Sequence, residues 1–340
     1  MGHDVYLIEE LPPRVNNLRY ILRIIKRTIK KILRRNAVPI FLEKDLRICR
    51  VRTQHFINQY LSIKKVNSFA SISENDYDAY IVGSDQIWRP KYFSGQITDA
   101  FLKFTKGWNV KRLAYAPSFG TSEWEYSKDQ EAECRTLIQK FNAVLVREDS
   151  GVILCQSHFN IEAFHVVDPT LLLPVNDYIQ LFKKTKTPKS KGSLLTYILD
   201  DTPQKRSIVN RLAKEKSLKP FCVNSPMFDY SKNIEERKQP SVESWLRGFY
   251  DTELVVTDSF HACVFSIIFH KNFVVIANEG RGLSRIQSLL KKLNIENRLI
   301  NYSEIESFND LPPIDFKLVD SLLKEWKEYS LNMLQKALNS

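Results

Sequence analysis

"LVVTDSFHACVFSIIFHKNFVVIAN", residues 254–278, contains a strand–helix–strand unit. Leu254, Val255 and Val256 are apolar and mostly β-branched, as suits a strand buried on both faces. Thr257, Asp258, Ser259, Phe260 and His261 form the bend; an apolar helix follows, and then a second buried strand from Phe273 to Ala277. Buried strands joined by a crossover helix predict a parallel sheet. In such sheets, ligands sit beyond the carboxyl ends of the strands. The bend therefore places an acid, a hydroxyl and an imidazole where a ligand would bind.

The same alternation runs through the chain. Strands are predicted at 5–8, 79–82, 112–116, 143–146, 165–167, 194–198 and 220–223. Helices are predicted near 43–60, 127–140, 149–156, 203–217, 241–249 and 316–338. "KKTKTPKSKG", 183–192, is charged, contains Pro and Gly, and reads as a linker. The expected organisation is α/β: a Rossmann-like domain over 1–182, the linker over 183–192, a second Rossmann-like domain over 193–315, and a terminal helix over 316–340. No internal repeat or low-complexity segment is present.

Composition narrows the function classes. A chain of 340 residues, 43% of them apolar, can build a sizeable core and two domains. The five cysteines (Cys49, Cys134, Cys155, Cys222 and Cys263) are odd in number, scattered and without a Cys-x-x-Cys pair. They predict neither a disulfide framework nor a zinc site, and they fit a reducing, cytoplasmic compartment. No stretch reads as a secretion signal, and no apolar run approaches the ~20 residues that span a bilayer.

The net charge of +11 is concentrated in two places. Residues 14–35 carry nine Lys/Arg and no acid, and residues 183–191 carry five Lys and no acid; setting both aside leaves the rest at net −3. A nucleic-acid-binding face is therefore not expected. Within 18–35, Leu18, Ile21, Leu22, Ile25, Ile29, Ile32 and Leu33 recur at helical spacing opposite Arg and Lys. Two readings stand equal: a surface helix packing its stripe on the domain, or a helix lying peripherally on an anionic membrane.

Polar residues gather at the predicted strand ends. After 80–82 come Gly83, Ser84, Asp85, Gln86 and Trp88; after 113–115 come Ser118 and Gly120; after 144–146 come Arg147, Glu148 and Asp149; after 166–167 comes Asp168. Each alone has a plain structural reading: Asp149 and Asp168 as helix caps, Arg147–Glu148 as a local ion pair, His261 as a core histidine. Five such ends on one predicted edge favour a site. His3, His55 and His270 read as structural, and no cluster has metal-ligand spacing. Gly-x-Gly-x-x-Gly, Walker and Gly-x-Ser-x-Gly motifs are absent, which weighs against dinucleotide enzymes, P-loop ATPases and ordinary hydrolases.

"YDAYIVGSDQIWRP" (77–90), "AYAPSFG" (114–120), "VLVREDSG" (144–151), "VVDPTLLL" (166–173) and "VVTDSFHACVFSIIF" (255–269) together resemble the polysaccharide pyruvyl transferase family, over residues 2 to about 297. The resemblance implies a GT-B-like pair of Rossmann-like domains with the active site in the cleft. It also implies pyruvyl transfer from phosphoenolpyruvate to a sugar of a cell-surface polysaccharide or its lipid-linked precursor, forming a cyclic ketal. No cofactor or metal is implied beyond that co-substrate.

The family's histidine falls on His261 and its Arg-Glu strand end on Arg147-Glu148. Where members often carry Arg-Leu before the histidine, this chain has Ser259-Phe260, and Arg281 or Arg285 is the candidate replacement for the missing cation. His261, with Asp85 or Asp258 as base, is the candidate catalytic set. Arg147, Ser84, Gln86, Ser118, Ser259, Arg281 and Arg285 are the candidate substrate-binding residues. Guanidinium groups suit the donor's phosphate and carboxylate, an imidazole suits proton delivery, and the helix after Ser259 would offer amides to phosphate. "MGHDVYLIE" resembles the family's second strand, so a first strand–helix unit is expected upstream of it. A nucleotide-sugar glycosyltransferase and a non-catalytic saccharide-binding protein are the alternatives.

Overall fold

The computed structural model describes residues 2–11, 17–33, 38–301 and 312–339. Two compact units are present: one formed by Met1–Ile72, Gln180–Ser190 and Cys222–Gly248, the other by Ser73–Ile179, Lys191–Phe221 and Phe249–Ser340. In the first, strands β1 (Leu7–Glu10) and β2 (Ile63–Val66) pair in parallel, Leu7 opposite Ile63. Its helices include Asn17–Ile32, Leu42–Cys49 and Val51–Tyr60. The continuous helix predicted over 43–60 is instead two helices, broken at Arg50, whose φ of −95° and ψ of 3° leave the helical region. Bidentate pairing of Arg237 with Asp45, 3.0 Å at the Nη1 end, holds the segment 222–248 against the first of these helices. The last two residues of the basic stretch predicted over 18–35 lie outside the described residues.

The second unit holds two parallel sheets. One has the order β3 (Ala79–Val82), β4 (Lys111–Tyr115), β5 (Ala143–Val146), β6 (Phe164–His165). The other contains β7 (Leu194–Tyr197), β8 (Pro220–Cys222), β9 (Leu254–Thr257), β10 (Asn272–Ile276) and β11 (Leu299–Ile300), in the order β11-β10-β9-β7-β8. The opening stretch is β9, helix Phe260–Ile268 and β10, with Phe273 opposite Val255. Its strands are buried on both faces, as their continuous apolar runs require: Val255, Val256, Phe273, Val274, Val275 and Ile276 are inaccessible to solvent. Each such side chain contributes about 1.5–3 kcal/mol by leaving water. The strand order reverses between β7 and β9, and a crevice at such a switch point is where doubly wound sheets place ligands.

The terminal helix Phe316–Asn339 packs on the β3–β6 sheet. Met333 and Leu334 meet Tyr115, Leu145 and Val166, while the Trp326 indole donates to the His165 carbonyl at 3.2 Å. Two helices unassigned from sequence, Val175–Lys184 and Leu283–Lys292, complete the alternation; the former takes in the first two residues of the predicted linker.

Candidate active site

The strand ends of the first sheet are sewn to one another. The Asp85 carbonyl, at a residue with φ of 70°, accepts from the Ile87 and Ser118 amides, both at 2.8 Å. Trp88 anchors the loop from inside: its indole donates to the Ala100 carbonyl at 2.9 Å and its ring stacks on Phe101 at 4.8 Å. Behind the loop, Glu148 Oε1 accepts from the Ser118 hydroxyl at 2.9 Å and from the Phe119 and Gly120 amides at 2.8 and 3.2 Å. Full burial, only partly offset by Arg147, pushes the Glu148 carboxyl above its usual range. Ser118 is fully buried and spends its hydroxyl on Glu148. It supports the turn and does not face a ligand.

On this frame stands a compact charge cluster. Arg147, at the end of β5, is buried and donates from Nη1 to Asp168 Oδ2 at 2.7 Å and from Nη2 to Asp85 Oδ1 at 3.0 Å. Arg285, from the helix after β10, donates from Nη1 to the same Asp85 oxygen at 3.1 Å. Both guanidiniums lie over the Phe260 ring, at 4.8 and 5.2 Å from its centroid. His261 Nε2 is 3.9 Å from Asp168 Oδ2.

The Asp85 side chain is 60% exposed, and among the described residues its Oδ2 accepts no hydrogen bond. Two buried cations thus converge on one oxygen of a carboxylate whose side chain faces solvent. Among the described residues the buried Nε of Arg147 has no partner, which leaves that donor in reserve.

The protonation equilibria follow this crowding. Burial is the largest single influence on the Asp85 and Asp168 carboxyls and acts to raise them. Arg147 and His261 at both, with Arg285 at Asp85 and Thr170 at Asp168, together outweigh it, so each sits below the usual carboxylate range. Burial, then the neighbouring Arg147, brings Arg285 down to about 10. Burial is also the main reason His261 sits below its ordinary value, with Arg147 adding to it and Asp168 opposing. His165, behind the cluster, is 3.1 Å from the Arg147 carbonyl through Nε2 and is pushed by burial to about 4.

The structure separates the sequence-predicted residues into those that meet here and those that do not. Asp85, Arg147, Arg285 and His261 meet. Asp258 does not: it is buried, accepting from the Leu199 amide and Lys205 Nζ at 2.6 Å each, the Asn278 amide at 3.0 Å and the Asp200 amide at 3.2 Å. It ties the ends of β7, β9 and β10 together and is not placed to take a proton from a ligand. Of the two candidate replacement cations, Arg281 is spent in a bidentate pair with Asp200, at 2.9 and 2.5 Å, and Arg285 alone joins the cluster.

Ser259 precedes helix Phe260–Ile268 without capping it, since its hydroxyl accepts no amide of the first turn. No side-chain hydrogen bond involves Ser84 among the described residues. Gln86 accepts from Arg89 at 3.3 Å and occupies room left by two glycines. A methyl on Gly120 would overlap its Oε1, and one on Gly282 would come within 2.9 Å of it and within 2.8 Å of Arg285 Nε. Both glycines also have positive φ, 70° and 85°. Among the described residues no group of three or more His, Cys, Asp or Glu converges as a metal centre would require.

The family model for polysaccharide pyruvyl transferase matches residues 5–280. The chain belongs to the polysaccharide pyruvyl transferase family. It is accordingly a transferase, with a polysaccharide acceptor implied. The match takes in Asp85, Arg147, Asp168 and His261 and stops short of Arg285. Among solved structures, a functionally uncharacterised protein of Klebsiella pneumoniae is similar at TM-score 0.45 and 14% identity, over 75% of this chain and 86% of that one. The wall teichoic acid polymerase TagF, in its H444N variant, is similar at TM-score 0.43 and 10% identity, over 96% of this chain and 99% of that one. No curated protein matches the chain.

Sequence reasoning missed two members of this cluster. Asp168 reads as a helix cap, which it is, accepting from the Thr170 amide at 3.0 Å; its other oxygen is the one that holds Arg147. Phe260 carries no polar atom, so a search for polar residues at strand ends passes over it. The available signal was its place beside His261, at a strand end where aromatic faces can meet guanidiniums.

Proposed function

We propose that the protein transfers the pyruvyl group of phosphoenolpyruvate to two hydroxyls of a sugar, forming a ketal on a cell-surface polysaccharide or its lipid-linked precursor. The observation that carries this reading is the convergence of the Arg147 and Arg285 guanidiniums on one oxygen of the exposed Asp85 side chain, with His261 alongside. Two planar cations suit a donor that carries both a phosphate and a carboxylate. The donor's anionic group would take the place of the Asp85 carboxylate, which then turns towards the acceptor hydroxyls as a base.

A dianion beside His261 raises its proton affinity, so the imidazole takes up a proton as the donor arrives. It then protonates the methylene carbon, making the adjacent carbon electrophilic. Two sugar oxygens bond to that carbon and its bond to the phosphate oxygen breaks. Of the two hydroxyl protons, one replaces the proton given to carbon and the other leaves with phosphate. Asp258 has no part in this scheme.

Incubation with phosphoenolpyruvate and a panel of free and lipid-linked saccharides, followed by phosphate release and product mass, tests the reading. His261→Ala should lower turnover by a factor on the order of 10² or more, with the fold intact. Phosphate release that is unchanged in that variant would remove the histidine from the reaction. Consumption of a nucleotide sugar in place of phosphoenolpyruvate would overturn the donor.

A further inference from the structure

Helix Asn17–Ile32 is seated on its own unit by the wrong side for an ordinary amphipathic helix. Among the described side chains of the helix, Ile24, Arg27 and Thr28 are the half-buried ones, and Arg27 holds the contact by donating to the Ile40 carbonyl at 3.2 Å and pairing with Glu43 at 3.7 Å. The apolar stripe lies elsewhere on the wheel and is open: Ile21, Leu22, Ile25 and Ile29 are each about half exposed, and Leu33 continues the row at 61%. Exposed Arg23, Lys26 and Lys30 flank it. A helix that kept its stripe for the protein core would show the reverse pattern.

We propose that this face docks the protein on an anionic lipid bilayer. The stripe supplies apolar surface to the acyl boundary, and its flank supplies cations to lipid headgroups. Charge decides between occupants. Over 14–35 the chain carries nine Lys/Arg and no acid, a complement to a polyanionic plane more than to a mixed protein surface. Sixteen residues give a rod of about 24 Å, long enough to seat four turns side-on. Among the described residues no helix is long and apolar enough to cross a membrane, so the helix lies on the bilayer and does not span it.

The test is sedimentation of the full chain with vesicles of phosphatidylcholine alone and of phosphatidylcholine with about one-third phosphatidylserine. It uses neither donor nor acceptor, so it stands apart from the reaction. Pelleting is expected with the anionic vesicles only, and raising salt from about 0.1 M to about 1 M should release the protein. Ile25→Ser with Ile29→Ser, and separately Lys26→Glu with Lys30→Glu, should each weaken partitioning about tenfold or more. All four residues are exposed, so the melting temperature should not move. Equal pelleting with neutral vesicles, no pelleting with either, or variants that bind like the parent would overturn the proposal. So would retention on duplex RNA without vesicle binding.

Discussion

Asp85 and Asp258 both follow parallel strands, and their surroundings are opposites. Asp258 is sealed and receives four donors, one of them the ammonium of Lys205, which is itself buried. Asp85 stands in solvent, receives two guanidiniums on one oxygen and leaves the other open. Strand ends of this kind thus serve two ends in one molecule. A saturated carboxylate fixes where three strands finish, while an under-filled one keeps two cations assembled yet approachable.

The contrast is broken most forcefully at the saturated end. Asp258→Ala strands the Lys205 ammonium in the interior and should cost about 3–5 kcal/mol of stability. Denaturant unfolding measures this, and a loss under about 1 kcal/mol would mean that the pocket floods and tolerates the change.

A second effect, almost as large, comes from the wall behind the open cluster. His165 is held by burial at about 4, against 6.5 for a free imidazole. As pH falls below about 6.5 the unfolded chain takes up a proton that the folded chain refuses until about pH 4, so stability falls across that window, by up to about 3 kcal/mol. His261, also lowered, adds to the same slope. His165→Gln should flatten the slope of unfolding free energy between those pH values relative to the parent, and an unchanged slope would show that His165 titrates freely in the fold.

The smallest effect sharpens the comparison at the open end. Asp85→Asn removes the one negative charge shared by Arg147 and Arg285, so inorganic phosphate should bind several-fold more tightly, as read by calorimetry. The same change should cost less stability than Asp258→Ala, because Asp85 itself is exposed although the buried Arg285 loses its carboxylate partner. Weaker phosphate binding would mean that the carboxylate orients the guanidiniums more than it competes for them.

Much of the fold was legible because the parallel strands leave unbroken apolar runs: β3, β5 and β9 lie within a residue of where the pattern puts them. β1 begins two residues later than expected, since its pairing with Ile63–Val66 sets its extent. β2, "IKKV", escaped notice because two lysines interrupt its pattern, and β11 because two residues carry no period. At the site, residue type and strand-end position marked Asp85, Arg147 and His261. The same rule marked Ser118 and Asp258, since nothing local distinguishes a side chain facing solvent from one facing Glu148 or Lys205. That distinction lies in contacts across 30 and 53 positions of sequence.

The two glycines pressed against Gln86 bear on how this site could change over evolutionary time. Any single replacement of Gly120 or Gly282 must contend with a neighbouring side chain and with a left-handed backbone at once, so single-step drift is closed at both. Gln86 Oε1 is the nearest obstacle at Gly120, whereas at Gly282 the Arg285 guanidinium stands at least as close as Gln86. Shortening Gln86 first would free space at Gly120 for a second substitution, while Arg285 would still close Gly282. A lineage that reshapes this end of the cluster would therefore change residue 86 before Gly120, and the order of those events would be readable from the intermediates it leaves behind.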